Sequence, residues 1–270
     1  MQKVFVGGHP MAYHRKGSGE PVLLVHGILA HSFIWRGVLP ALAERHDVVA
    51  VDLLGCGDST MPMSLSLSLA AQADYLAELV QWLGLGKVHL VGHEVGGAIV
   101  QAMAVRHPKT VRSLSLVSSV AGDLWPDFPL NALRTPFLRQ LVLSTLDAGL
   151  SSWLVRRALT HRERVTDELM NEFHRPLQTL TGRRALLHFA SCLRARDLAA
   201  LEPELRKLAL PAHLVWGAAD RVLDPGTPDR LAADFPAGRV TRLEGAGHLL
   251  PIDEPAGLAA ALLAGFAAAG

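Results

Sequence analysis

A chain of 270 residues, half of them hydrophobic and 19% charged, carries enough apolar side-chain area for one substantial core. Its formal net charge of +1 provides no field that would gather nucleic acid or hold a membrane surface, so the expected partner is a small apolar organic molecule. The chain has neither a stretch of 18 apolar residues nor an initial apolar run with a small-residue cleavage site, and its two cysteines, Cys56 and Cys192, match no metal or redox spacing; these features read as a soluble, unprocessed, cytoplasmic protein with no metal and no cofactor.

In chain order, apolar runs bounded by turn residues predict strands at Val4–Val6, Pro21–Val25, Asp47–Val51, Val88–Val91, Leu114–Val117, His213–Trp216 and Val240–Leu243. Residues 3 to 15 are compatible with early antiparallel strands. Helical periodicity appears between the runs, at Leu67–Leu83 with apolar positions Leu69, Tyr75, Leu76, Leu79 and Val80, and at Val95–Val105. Continuous apolar strands alternating with helices predict an α/β fold, a mainly parallel sheet covered on both faces. The alternation stops after Val117. Residues 122 to 207 are rich in leucine and arginine, with helical patterns near Leu138–Leu146, Trp153–Leu159 and Ala185–Leu193, and predict a helical cap inserted into a core formed by 1–121 and 208–270. The alanine-rich run Ala256–Ala269 predicts a closing helix.

Glycine-containing segments follow the predicted strands. They are His26-Gly27, Asp52-Leu-Leu-Gly-Cys-Gly-Asp-Ser59, Gly92-His-Glu-Val-Gly-Gly97, Trp216-Gly-Ala-Ala-Asp220 and Gly245-Ala-Gly-His248. Segments just past the carboxyl ends of strands are where open α/β sheets place ligands. Gly92–Gly97 joins a buried strand to a helix through a glycine-flanked residue, the pattern of a nucleophile elbow, and the residue at its apex is Glu94. The Asp52–Ser59 run lacks a following phosphate-binding pattern and reads as a structural turn.

These segments, in this order, resemble the α/β-hydrolase fold family, in the lid-bearing branch that contains esterases, haloalkane dehalogenases and epoxide hydrolases. The resemblance covers roughly residues 20 to 120 and 210 to 260. It implies an eight-stranded, mainly parallel sheet. It also implies Glu94 at the nucleophile position, Asp220 at the acid position in preference to Asp224, and His248 as the base, with the backbone N–H groups of Ile28 and Val95 as the oxyanion hole. His26 and His93 are expected to be structural. Trp125, Phe128, Phe137, Trp153 and Phe189 are candidates for lining an apolar substrate pocket, with core packing as the competing reading for each.

Glutamate at the elbow changes the chemistry. A carboxylate attacking an ordinary ester would form an anhydride, whereas attack at saturated carbon gives an alkyl-enzyme ester that water can hydrolyse. The elbow position in relatives that use a carboxylate is usually aspartate followed by tryptophan; here Val95 follows. Tyr13 and Tyr75, the chain's two tyrosines, lie outside the expected cap, leaving His161, His174 and His188 as cap acids. The leading expectation is a small-molecule hydrolase acting on an epoxide, lactone, ester or related electrophile. Two alternatives are a lyase, isomerase or cyclase using Glu94 and His248 as an acid-base pair, and a ligand-binding or engineered form without a working nucleophile.

Overall fold

The computed structural model describes residues 1–122, 149 and 151–269. Eight strands form one sheet: β1 (Gln2–Val6), β2 (His9–Lys16), β3 (Glu20–Val25), β4 (His46–Val51), β5 (Val88–His93), β6 (Val111–Val117), β7 (Ala212–Gly217) and β8 (Gly238–Leu243). Their spatial order is β1-β2-β4-β3-β5-β6-β7-β8, with antiparallel pairing at β1/β2 and β2/β4 and parallel pairing elsewhere. Every expected strand is present, and the compatible early antiparallel pair is β1 with β2. Crossovers between the parallel strands cover both faces, which explains why β5 and β7 are buried along their whole length and show no polar alternation.

Period-two geometry sorts each strand into the two faces. Leu23 and Val25 join Val49, Val51 and Leu90 in one apolar cluster, while Val22 and Leu24 join Val48, Ala50, Val91, Val117 and Val215 in the other. Helices α2 (Leu69–Trp82) and α3 (Val95–Arg106) cover the first face; α1 (Leu39–Leu42) and the closing helix, numbered below, cover the second. Helix α2 starts where the Ser68 side chain accepts from the Ala71 N–H, and it buries Leu69, Ala73, Leu76, Leu79 and Val80 at helical spacing. Helix α3 is buried on nearly every side from Val95 to Ala104, which its uniformly apolar and small residues permit.

Between β6 and β7 the described residues contain no strand. They form α4 (Ser151–Ala158), α5 (Asp167–His174), α6 (Leu180–Cys192), α7 (Ala195–Ala199) and α8 (Glu202–Leu205). Thr166 and Thr179 start α5 and α6 by accepting from the N–H groups of Leu169 and Gly182. The helix expected near 138–146 lies outside the described residues. The chain then continues through α9 (Thr227–Ala232), α10 (Leu250–Asp253) and α11 (Pro255–Ala267), the last being the alanine-rich closing helix. No described helix is long and apolar enough to cross a membrane.

Strand register sets where the site lies. Val25 pairs with Val51 and Gly92, His93 with Val117, Val117 with Val215, and Gly217 with Leu243. The carboxyl ends of β3 to β8 therefore form one row, and the loops that follow them share one edge of the sheet.

Candidate active site

Glu94 sits between β5 and α3 with φ 52° and ψ −118°, a conformation that a side-chain-bearing residue adopts only under constraint. The constraint is visible around it. The Glu94 N–H donates to Val117 O, and its carbonyl accepts from the Gly97 N–H at 3.0 Å. A Cβ on Gly96 would collide with the His26 carbonyl oxygen, so helix α3 approaches the loop after β3 only because glycine stands there. The turn lifts the Glu94 side chain toward that loop, where it is 7% exposed.

The carboxylate accepts from the Ile28 N–H at Oε2 over 2.7 Å. The Val95 N–H also stabilises its ionised form, so both main-chain donors expected for an oxyanion hole act on the Glu94 side chain. Gly27 lets the two segments meet, since a Cβ there would stand 2.8 Å from Glu94 Cβ and would strike Oε2. Burial nevertheless raises the Glu94 pKa above the ordinary carboxylate value; the Val95 N–H, the His248 charge and the Ile28 N–H oppose that rise without cancelling it.

Asp220 and His248 meet as expected. His248 Nδ1 lies 2.9 Å from Asp220 Oδ2, and Asp220 Oδ1 accepts from the N–H groups of Val222 and Leu223. Burial works to raise the Asp220 pKa, but the His248 hydrogen bond, its charge and the two N–H donors outweigh it and leave the pKa lowered. For His248, burial disfavours the imidazolium, while the Asp220 bond and charge together with the Glu94 charge raise the pKa above the ordinary value. Asp224, the competing acid, instead accepts from the Gly226 N–H at 2.8 Å in a local turn.

Two histidines frame this arrangement. His26 Nε2 accepts from the Leu53 N–H at 3.1 Å, so its other nitrogen carries the proton and donates to Gly27 O at 2.8 Å. Burial drives its pKa down to about 4, which keeps the neutral tautomer that joins the loops after β3 and β4. His93 Nε2 donates to the backbone carbonyl of His248 at 3.0 Å, and its ring packs against the His248 ring at a tilt of 52° with centroids 5.2 Å apart. Burial lowers its pKa to about 3, so this support for His248 stays uncharged. Asp52 is fully buried and accepts from the N–H groups of Ser32 and Asp58, confirming a structural turn; Gly57 sits there at φ 54°.

Sequence reasoning missed Asp253. It is completely buried and accepts from the Gly247 N–H at 2.5 Å, the Thr160 N–H at 3.0 Å and the His161 N–H at 2.8 Å. One carboxylate thus holds the turn that carries His248 against the segment after α4. Its sequence signal is faint: an acid shortly after Gly247-His248, next to Glu254, which caps α11 by accepting from the Gly257 N–H.

The three histidines considered as cap acids have other partners. His161 Nδ1 is 3.1 Å from Asp253 Oδ1, His174 Nε2 is 3.2 Å from Ser152 Oγ, and His188 Nε2 donates to Leu65 O at 2.7 Å. Of the aromatic residues considered for a pocket, Trp153 is 55% exposed with the Arg157 guanidinium over its ring, and Phe189 is fully buried in the core cluster beside Ala190 and Leu193. The first is a surface residue and the second a core residue, because α4 turns Trp153 outward while α6 turns Phe189 toward the sheet side. Trp125, Phe128 and Phe137 lie outside the described residues.

Comparison with known proteins agrees with this architecture. A family profile described as alpha/beta hydrolase fold matches residues 20–255. Haloalkane dehalogenase 2 of Mycobacterium tuberculosis is 30% identical over 94% of this chain and 90% of its own length. The pimeloyl-[acyl-carrier protein] methyl ester esterase of Aeromonas hydrophila is 29% identical over 91% of this chain and 94% of its own. Among solved structures, a putative ancestral haloalkane dehalogenase superposes with a TM-score of 0.87 at 25% identity, covering 100% of this chain and 99% of the other.

Proposed function

The chain belongs to the α/β-hydrolase fold family and is a hydrolase of that superfamily, and from that premise we propose that it hydrolyses small apolar molecules bearing an electrophilic saturated carbon, with Glu94 as a covalent nucleophile. The observation that carries this reading is the hydrogen bond from the Ile28 N–H to Glu94 Oε2. A carboxylate with Oε2 bound by the Ile28 N–H has its other oxygen, Oε1, as the one to attack.

In the first step Oε1 forms a bond to the substrate carbon, and the bond from that carbon to its leaving oxygen or halogen breaks with its electron pair. Glu94 becomes a neutral ester whose carbonyl oxygen is Oε2. Its charge no longer raises the His248 pKa, so the imidazole becomes a freer base at the moment a base is needed. His248 then takes a proton from water, and the hydroxide attacks the Glu94 carboxyl carbon. Charge develops on Oε2, where the Ile28 N–H stabilises it. Collapse expels the alkoxide, which takes the proton from His248; the carboxylic acid left at Glu94 then gives its proton to the oxyanion of an opened epoxide or, after loss of halide, to solvent, and the carboxylate is restored. Asp220 orients the ring and offsets its transient charge.

This reading narrows the substrate. Esters and lactones would lead Glu94 to an anhydride, whereas epoxides and alkyl halides give an ordinary ester. The helices between Ser151 and Leu205 serve as a cap that keeps water from the alkylating step. Low charge and an apolar composition suit an apolar ligand.

The test is a single turnover in 18O-water with a panel of terminal epoxides and primary alkyl halides. Label is expected in the Glu94 carboxyl group, read by mass spectrometry of the peptide, with unlabelled alcohol in the first turnover. Label directly in that first product would instead support a noncovalent route with Glu94 or His248 as base, a route compatible with the mutual charge stabilisation of the two groups. Absence of turnover across the panel would overturn the substrate class.

A further inference from the structure

At the amino ends of the strands, opposite the Glu94 edge, three potential ligands converge. Glu20 is the first residue of β3, His46 the first of β4, and His89 the second of β5. Glu20 pairs in register with His46, and Val22 pairs with His89, so neighbouring strands deliver all three to one corner of the sheet. One ligand atom from each lies within 4.8 Å of the others. We propose that Glu20, His46 and His89 form a binding site for a first-row transition-metal dication, with Zn2+ as the cation to test.

The donor set is the first argument. Two imidazoles and one carboxylate match the ligands of zinc and related borderline cations, whereas calcium and magnesium take oxygen ligands. A fourth position falls to water, because Glu20 is about half exposed. Metal–ligand bonds near 2.0–2.2 Å require the donor atoms to draw together by about 1 Å, a movement within reach of a glutamate side chain at a strand start.

The surroundings supply the rest of a metal-binding arrangement. His89 is fully buried, and its Nδ1 lies 2.7 Å from Ser113 Oγ while Nε2 lies 3.3 Å from Glu20 Oε2. A hydroxyl both donates and accepts, so Ser113 serves either tautomer. When Nε2 gives its lone pair to a metal, Nδ1–H donates to Ser113, the outer hydrogen bond that ligating histidines characteristically make. Phe266 of α11 packs on both imidazoles, at 5.2 Å from His46 and 4.5 Å from His89, and fixes the ring planes. His46 Nδ1 is buried without a hydrogen-bond partner, an unusual cost for a polar group with no further role.

Arg112 is the competitor. Its Nη1 lies 3.5 Å from Glu20 Oε1, and its Nε is buried without a partner. A guanidinium held this loosely is displaceable, and its charge lowers the affinity for any cation. Bound metal would tie β3, β4 and β5 together and secure α11 through Phe266, independently of the chemistry at Glu94.

The experiment is a titration of the metal-free full chain with ZnCl2 by calorimetry, paired with CoCl2 titration read by visible absorption. One saturable equivalent is expected to disappear in the His46→Ala/His89→Ala double variant, with any other histidine sites of the chain retained. Ser113→Ala should weaken binding on the order of tenfold or more through the lost outer hydrogen bond. Arg112→Gln should tighten it by removing a competing cation. Zn2+ should raise the melting temperature of the parent but not of the double variant. If the double variant fails to fold, Glu20→Gln, a change at a half-exposed position, must weaken binding at least tenfold. Unchanged stoichiometry and affinity in these variants, or no Zn2+ binding by the parent, overturns the proposal.

Discussion

The Ile28 N–H donates to Glu94 Oε2 over 2.7 Å, joining the loop after β3 to the apex of the elbow. A substrate oxygen cannot use that donor while the carboxylate holds it. Replacing Glu94 by serine shortens the side chain and frees the Ile28 and Val95 N–H groups, with His248 and Asp220 still in place. Glu94→Ser is therefore expected to gain activity on p-nitrophenyl esters that the parent lacks, measured by p-nitrophenolate release. A silent variant would show that the pocket is built around the carboxylate and does not support acyl transfer.

Glu94→Gln separates chemistry from stability. The amide cannot form the alkyl ester, so turnover should fall on the order of a thousandfold or more. Stability should move the other way. The folded-state pKa of Glu94 lies above its ordinary 4.5, so between that value and the folded pKa the native state binds more protons than the unfolded chain. In that window stability decreases as pH rises. Glutamine removes this dependence, and urea denaturation should show the variant gaining on the parent from below pH 4.5 upward, with the advantage retained at neutral pH.

The pH–rate profile follows from the same site. Attack needs ionised Glu94 and water activation needs neutral His248, and both pKa values are raised. Activity is expected to fall on the acid side, with no matching alkaline fall from these two groups. Asp220→Asn removes the bond and charge that raise the His248 pKa, so the His248 limb should move to lower pH. Its plateau rate should drop on the order of 10³- to 10⁴-fold, because the imidazole loses its orienting partner. Initial rates across pH, with the His248 ring followed by NMR, check both halves.

Asp253 predicts a combined defect. Asp253→Ala strands the N–H groups of Gly247, Thr160 and His161, each costing about 1–3 kcal/mol if left buried and unpaired. Asp253→Asn keeps one acceptor oxygen and should lose less. Because Gly247 precedes His248, kcat should fall more than KM changes in the asparagine variant. Urea melts and steady-state kinetics on one preparation distinguish this from simple unfolding, since a merely less stable enzyme would keep its kcat per folded molecule.

The α/β architecture was legible because strands covered on both faces must be continuously apolar. Pro21–Val25, Val88–Val91 and His213–Trp216 announced themselves without any long-range information. Gly92-x-Glu-x-Gly96 was equally plain, since a tight turn and a close helix approach restrict the residue types that fit. Early strand β2 gave a weaker signal because its polar end, His14 to Lys16, faces solvent and blurs the apolar run.

Residue types and local periodicity determined the order of the elements and the elbow, and the family resemblance that these segments carry implied the acid-histidine pair of candidates. Tertiary structure alone decided that Asp220 and not Asp224 meets His248, that Glu94 occupies the donors of Ile28 and Val95, that Asp253 holds the histidine turn, and that Glu20, His46 and His89 share a corner. The division has a physical cause. Burial and backbone geometry constrain residue type position by position, so they are written along the chain, whereas a hydrogen bond to a main-chain N–H leaves no requirement on its donor's side chain and exists only once distant loops are brought to one edge of the sheet.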